Sequence, residues 1–162
     1  MKRNTIKRAL GMATLLLAAL LSGCGGHPAP KANAMATAGT VPAQATEDTK
    51  MHVIINGKTF TAVLEDNASA RAFAERLPLS VNMTELNGNE KYCRLPERLP
   101  SDDSRPEEIH AGDLMLYGGD CVVLFYKDFS TPYSYTRLGR TETPSGLAEA
   151  LGADDVPVTF AK

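Results

Sequence analysis

The sequence predicts a mainly β domain, a closed barrel or a sandwich, and three observations carry that prediction. Between Met51 and Lys162 short β-rich apolar runs follow one another, each bounded by Gly, Asn, Asp or Pro. Two segments, both short, have the spacing of an amphipathic helix. One run, CVVLFY from Cys121 to Tyr126, is apolar at every position, so it must be covered on both faces and forms the centre of the core. Periodicity does not choose between barrel and sandwich. A length of about 110 residues suits one domain with one core.

The elements follow in order. HVIINGKTFTAVL, residues 52–64, is a hairpin, since Asn56-Gly57 supplies both positive-φ positions of a tight turn between β-rich runs. In DNASARAFAERLP, Asp66 or Asn67 caps a helix with Ala70, Phe73, Ala74 and Leu77 on one face, and Pro78 stops it. LSVNMTE alternates Leu79, Val81 and Met83 with polar residues, a half-buried strand that leads through Asn87-Gly88-Asn89 into EKYCRLP. LPERLPSDDSRPEE is a polar, proline-punctuated loop. GDLMLYGGDCVVLFY gives two strands joined by Gly118-Gly119-Asp120. Tyr133 to Leu138 is read as extended, a second helix runs from Ser145 to Leu151 and ends at Gly152, and Val156 to Phe160 is the last strand.

The blocks LNGNEKYCRLP, GDLMLYGGDCVVLFYKDF and YSYTRLGR, taken together and in that order, resemble the bacterial cyclophilin-like domain, a family distinct in sequence from true cyclophilins. The resemblance covers roughly His52 to Phe160. It implies a mainly β fold, a closed antiparallel barrel of about eight strands with two short capping helices, and no established activity. True cyclophilins turn X-Pro bonds with an arginine from a Phe-His-Arg motif, followed by Gln-Gly-Gly-Asp, on a face lined by Phe, Trp and His. Gly118-Gly119-Asp120 is similar to the second motif, but Tyr117 stands where the glutamine would be, no His-Arg pair precedes it, and the chain has no Trp. A tight turn explains the fragment, so no catalytic residue is assigned. A divergent peptidyl-prolyl isomerase acting on envelope proteins stays as the alternative, and a structural envelope protein as the third reading.

Other chemistry finds little support. His52 and His110 lack the spaced Cys, His or carboxylate partners of a zinc site, so no metal and no cofactor are expected. Cys93 with His110 has no local context for a nucleophile; a small buried thiol is the ordinary role, and a Cys93–Cys121 disulfide is the other option outside the cytoplasm. Glu90, beside Lys91, reads as a solvated strand carboxylate or an acid-base group.

The candidate site comes from strand parity. Extended, the Tyr133 segment places Tyr133, Tyr135 and Arg137 on one face, and EKYCRL places Glu90, Tyr92 and Arg94 opposite Lys91, Cys93 and Leu95. If the cysteine side faces the core, Tyr92, Arg94, Tyr133, Tyr135 and Arg137 all face outward. Stiff aromatic area with forked donors suits a peptide or a small acidic ligand. The same residues also make ordinary cross-strand and cation–π pairs on a barrel wall.

The N-terminus reads as an address. MKRNTIKR is cationic without an acid, and Ala9 to Leu21 is uncharged, shorter than the roughly 20 residues that span a bilayer. The run ends in Leu21-Ser22-Gly23-Cys24, which resembles the bacterial lipoprotein signal and implies Cys24 as the lipidation site. Residues 1–23 are then the signal peptide and 24–50 a flexible tether rich in Pro, Ala, Thr and Gly, with a taut reach of about 90 Å. A protein anchored to membrane lipid through Cys24 follows, extracytoplasmic in the bacterial cell envelope. The domain from residue 51 to 162 carries 11 Lys and Arg against 17 Asp and Glu, a balance of −6, which disfavours nucleic acid and anionic headgroups as partners. Oligomeric state is open.

Overall fold

A computed structural model describes residues 49–162. The signal peptide, Cys24 and the tether up to Asp48 lie outside the described residues. The strands are β1 (Lys50–Ile55), β2 (Lys58–Leu64), β3 (Leu79–Leu86), β4 (Glu90–Arg94), β5 (Asp113–Tyr117), β6 (Cys121–Phe125), β7 (Thr136–Thr141) and β8 (Val156–Ala161). They close into an antiparallel barrel in the order β1-β2-β7-β5-β6-β4-β3-β8. Closure leaves no strand edge to protect, and it decides in favour of the barrel.

Local chemistry explains the elements. Asn56 and Gly57, with φ of 48° and 78°, turn β1 into β2 with Ile55 opposite Lys58. Helix α1 (Ala68–Ala74) is capped by Asn67, whose side chain accepts from the Ala70 N–H. Helix α2 (Leu147–Leu151) is shorter than its sequence suggests, because Gly146 takes a left-handed φ of 79° and starts the helix late. Both helices insert apolar side chains, Phe73 and Leu147 among them, into the core formed by Met51, Val53, Leu116, Leu124, Leu138 and Phe160. Phe73 meets Phe160 edge-on at 5.4 Å. In β7 the glycine of the YTRLGR block is needed: a Cβ on Gly139 would collide with the Val63 carbonyl oxygen on β2.

One wall, built from β4, β6 and β5, is covered on both sides. Val122 and Leu124 point into the main core, while Cys121, Val123 and Phe125 join Met115, Ile109 and Tyr135 in a second cluster on the outer side. That outer layer is made by two irregular segments tied by single bridges, Ser104 to Tyr135 and Ile109 to Phe129. The stretch read as a strand from Tyr133 is regular only from Thr136, because Tyr135 bonds to Ser104 of the long loop instead of to a neighbouring strand.

β4 obeys the expected parity, with Lys91, Cys93 and Leu95 buried. Lys91 is fully buried and still satisfied: its Nζ donates to Gly152 O at 2.9 Å and Asp154 O at 2.7 Å and pairs with Glu85 Oε2 at 2.5 Å. The Tyr126 hydroxyl donates to Glu85 at 2.9 Å. A buried ammonium persists only when each N–H finds an acceptor. Here all three do, and β4 is thereby fastened to β3 and to the exit of α2.

Candidate ligand-binding cleft

The outer face of the two-sided wall is a floor, and the irregular layer over part of it leaves a cleft of about 490 Å³ beside it. Strand register sets the floor in rows. Arg94 lies across from Cys121 and Cys121 from Tyr117; Tyr92 lies across from Val123; Glu90 lies across from Phe125. Leu86, Asn87 and Asn89 from the β3–β4 turn close one end, and Phe129 to Tyr133 with Tyr135 form the far wall.

Four of the five residues singled out by parity therefore meet in one place. Tyr92, Arg94, Tyr133 and Tyr135 all line the cleft. Arg137 is not part of the lining. Its position is on the outer face, in register with Met115, but β7 lies beyond β5, and its guanidinium turns to the buried Asp113, 3.8 Å away. Arg140 approaches the same carboxylate at 3.4 Å, so the two arginines answer one buried acid. A bulge between Leu114 and Met115 accompanies this arrangement.

The walls are aromatic. Tyr117 packs edge-on against Tyr133 at 6.1 Å and tilted against Tyr135 at 5.6 Å. Tyr135 in turn meets Phe125 edge-on at 5.6 Å. Tyr133 is 57% exposed and Tyr117 42%, so both rings offer free area at the mouth. Rings that brace one another lose little freedom on binding, which suits a recognition surface.

The charges are placed unevenly. Arg94 stands at the rim, where its Nη1 donates to both Asp120 oxygens at 3.0 and 3.2 Å, so its charge is already answered. Gly118 and Gly119, with φ of 57° and 81°, make the turn that presents Asp120 to it. Glu90 is 9% exposed, contrary to the solvated carboxylate expected from its neighbour Lys91: on the outer face of β4 it is buried at one end, while Tyr92 is half-buried and Arg94 exposed. Burial pushes its carboxyl up, and the nearby Glu85 carboxylate adds to the effect. Cys121 reaches the cleft, yet burial raises its thiol; Arg94 lowers it, and Asp120 and Glu90 raise it further. Cys93 faces the opposite side of the wall, in register with Val122, and its thiol is pushed up to about 12, by burial first. The two cysteines are free. His110 is held in the loop before β5, where its backbone N–H donates to Asp113. Among the described residues, no three His, Cys, Asp or Glu gather as metal ligands.

The sequence model of the cyclophilin-like family matches residues 53–161. The chain belongs to the cyclophilin-like family. Among solved structures this cyclophilin-like chain is similar to the solution structure of the hypothetical protein AF2241 from Archaeoglobus fulgidus, at 18% identity and a TM-score of 0.49, with 75% of this chain and 98% of that one covered. No curated protein matches it. Within this cyclophilin-like domain, sequence reasoning missed Tyr117, Phe129 and the buried state of Glu90. Tyr117 carried a signal, since it is the aromatic last residue of an apolar strand before a glycine pair. Phe129 carried none, because it lies in an irregular segment whose partner, Ile109, is far along the chain.

Proposed function

We propose that the protein is a binding module without catalytic turnover, anchored by lipid on the extracytoplasmic side of a bacterial envelope, whose barrel holds a peptide segment in the tyrosine-walled cleft. The observation that carries this reading is the convergence of Tyr92, Tyr117, Tyr133, Tyr135 and Phe129 around one concavity. Its volume is within the range of about 300–1,000 Å³ typical of ligand sites. The absence of turnover is supported by three placements: the Cys121 thiol is raised and so scarcely ionised, Arg94 is engaged by Asp120, and Glu90 has no histidine near it in the lining. The anchor is supported by the Leu21-Ser22-Gly23-Cys24 sequence after an uncharged run.

Binding is open to direct measurement, because four of the chain's five tyrosines line the cleft and the chain has no Trp. Intrinsic tyrosine fluorescence of the purified protein should change on titration with short capped peptides, and Tyr133→Ala should weaken that response about tenfold or more without lowering the melting temperature. A response unaffected by Tyr133→Ala overturns the cleft assignment. A protease-coupled assay on X-Pro peptides that shows turnover overturns the non-catalytic reading in favour of a prolyl isomerase. For the anchor, Cys24→Ser should move the protein from the membrane fraction to the soluble fraction or leave it unprocessed; an unchanged lipid-labelled protein refutes it.

A further inference from the structure

Glu90 is the one acid in the cleft that the fold does not use. It is nine-tenths buried and lines the cleft, and among the described residues no hydrogen bond or ion pair holds its carboxylate. Lys91, next in sequence, points through the wall and spends its three N–H groups on Gly152, Asp154 and Glu85. Arg94 shares the face but is four residues along an extended strand, about 13 Å away, and is held by Asp120. The titratable groups that sense Glu90 are Glu85 from β3, Cys121 from β6, Tyr126 just after it and Tyr135 from the covering segment. None of the four is a cation. At the same end of the cleft Asn89 holds a buried Oδ1 without a partner, a second acceptor that no donor answers.

A carboxylate partly withdrawn from water without a partner is penalised, and a positive charge brought against it offsets that penalty. The neighbouring tyrosine rings add to the attraction, since an aromatic face is negative and favours a cation beside it. We infer that the cleft selects its peptide by a cationic side chain, the ammonium of lysine or the guanidinium of arginine, seated against Glu90 with the rings of Tyr92 and Tyr135 alongside. This inference rests on the binding reading above and reverses the charge that a free arginine pair would have implied. Arg94 and Asp120 then act as a neutral rim, and the acidic balance of the domain draws such a ligand toward it.

The test uses capped tripeptides, Ala-Lys-Ala, Ala-Arg-Ala, Ala-norleucine-Ala and Ala-Glu-Ala, titrated into the purified protein by tyrosine fluorescence and by NMR shifts. The lysine and arginine peptides should bind about ten- to a hundredfold more tightly than the norleucine peptide, the range of a charge-assisted hydrogen bond. Glu90→Gln should erase that preference while norleucine binding is kept, and acidification through the raised Glu90 value should erase it in the wild type. If the norleucine or glutamate peptide binds as well as lysine, the cation inference fails and the binding reading stands. If none of the peptides shifts the cleft tyrosines, the binding reading itself fails. If Glu90→Gln keeps the lysine preference, Glu90 is not the selecting group.

Discussion

Glu85 and Glu90 flank one tight turn and titrate in opposite directions, and the difference is a matter of partners. Burial alone pushes the Glu85 carboxyl up, but hydrogen bonds from Lys91, Tyr126 and the Gly88 N–H, with the Lys91 charge, outweigh it and leave it below its ordinary 4.5. Glu90 has burial and a like charge and no donor, so it stays above that value. The consequences for stability have opposite signs. What Glu85 contributes is present above pH 4.5 and is lost as pH falls through its lowered folded value. What Glu90 costs is present at neutral pH, relieved as pH falls through its raised folded value, and gone below 4.5, where folded and unfolded chains are both protonated. Glu90→Gln should therefore raise the melting temperature at pH 7, and the gain should fade as the scan is repeated toward pH 4. A loss of stability at pH 7 would mean that the carboxylate has a structural partner after all. A residue that weakens the fold and faces a cleft is better understood as serving a ligand.

At the scale of elements, α1 does more than fill core. Asn67 accepts from Ala70 N at 2.8 Å as the cap, and its Nδ2 donates to Arg137 O on β7 at 2.8 Å. One side chain thus starts the helix and ties it to the barrel. Asn67→Ala should cost about 1–2 kcal/mol, the upper part of the range for a lost cap, read as a lower denaturant midpoint with an unchanged slope. Asn67→Asp keeps the cap acceptor but sets a second acceptor against the Arg137 carbonyl on β7, so it should keep the helix start and loosen the tie to the barrel. Much at this scale is legible in the sequence: the Asn56-Gly57 turn, the cap, the period of two in β3 and β4, and the all-apolar β6 follow from local rules. The roof over the outer wall is not. LPERLPSDDSRPEE reads as solvent-facing loop, and nothing in its composition says that Ser104 bridges Tyr135 or that Ile109, just beyond it, bridges Phe129. Local rules alone therefore put Glu90 in water and Arg137 with the cleft residues. Parity assigns a side chain to a face of a strand; only tertiary pairing decides what covers that face.

For the molecule as a whole, the decisive feature is a wall with an apolar cluster on each side, one in the core and one bordering the cleft. The two domain cysteines sample these sides separately. Cys93 is 7% exposed and packs with the main core, while Cys121 is 6% exposed and borders the cleft. They lie on neighbouring strands, but Cys121 is in register with Arg94 and Cys93 with Val122, so the thiols point to opposite faces and stay free. Both thiols are raised, Cys93 to about 12; thiolate is the reactive form, so both should alkylate slowly in the folded protein. Access should then separate them. Cys93 needs the barrel to open, and its rate should follow global unfolding, rising with denaturant. Cys121 needs only a breath of the cleft wall, so its rate should be faster and nearly independent of low denaturant. A peptide bound in the cleft should protect Cys121 and leave Cys93 unchanged. Peptide mapping after timed alkylation reads both sites in one sample: equal rates would mean that the outer layer is as tight as the core, and equal protection by peptide would mean that the ligand stabilises the barrel globally instead of covering the wall.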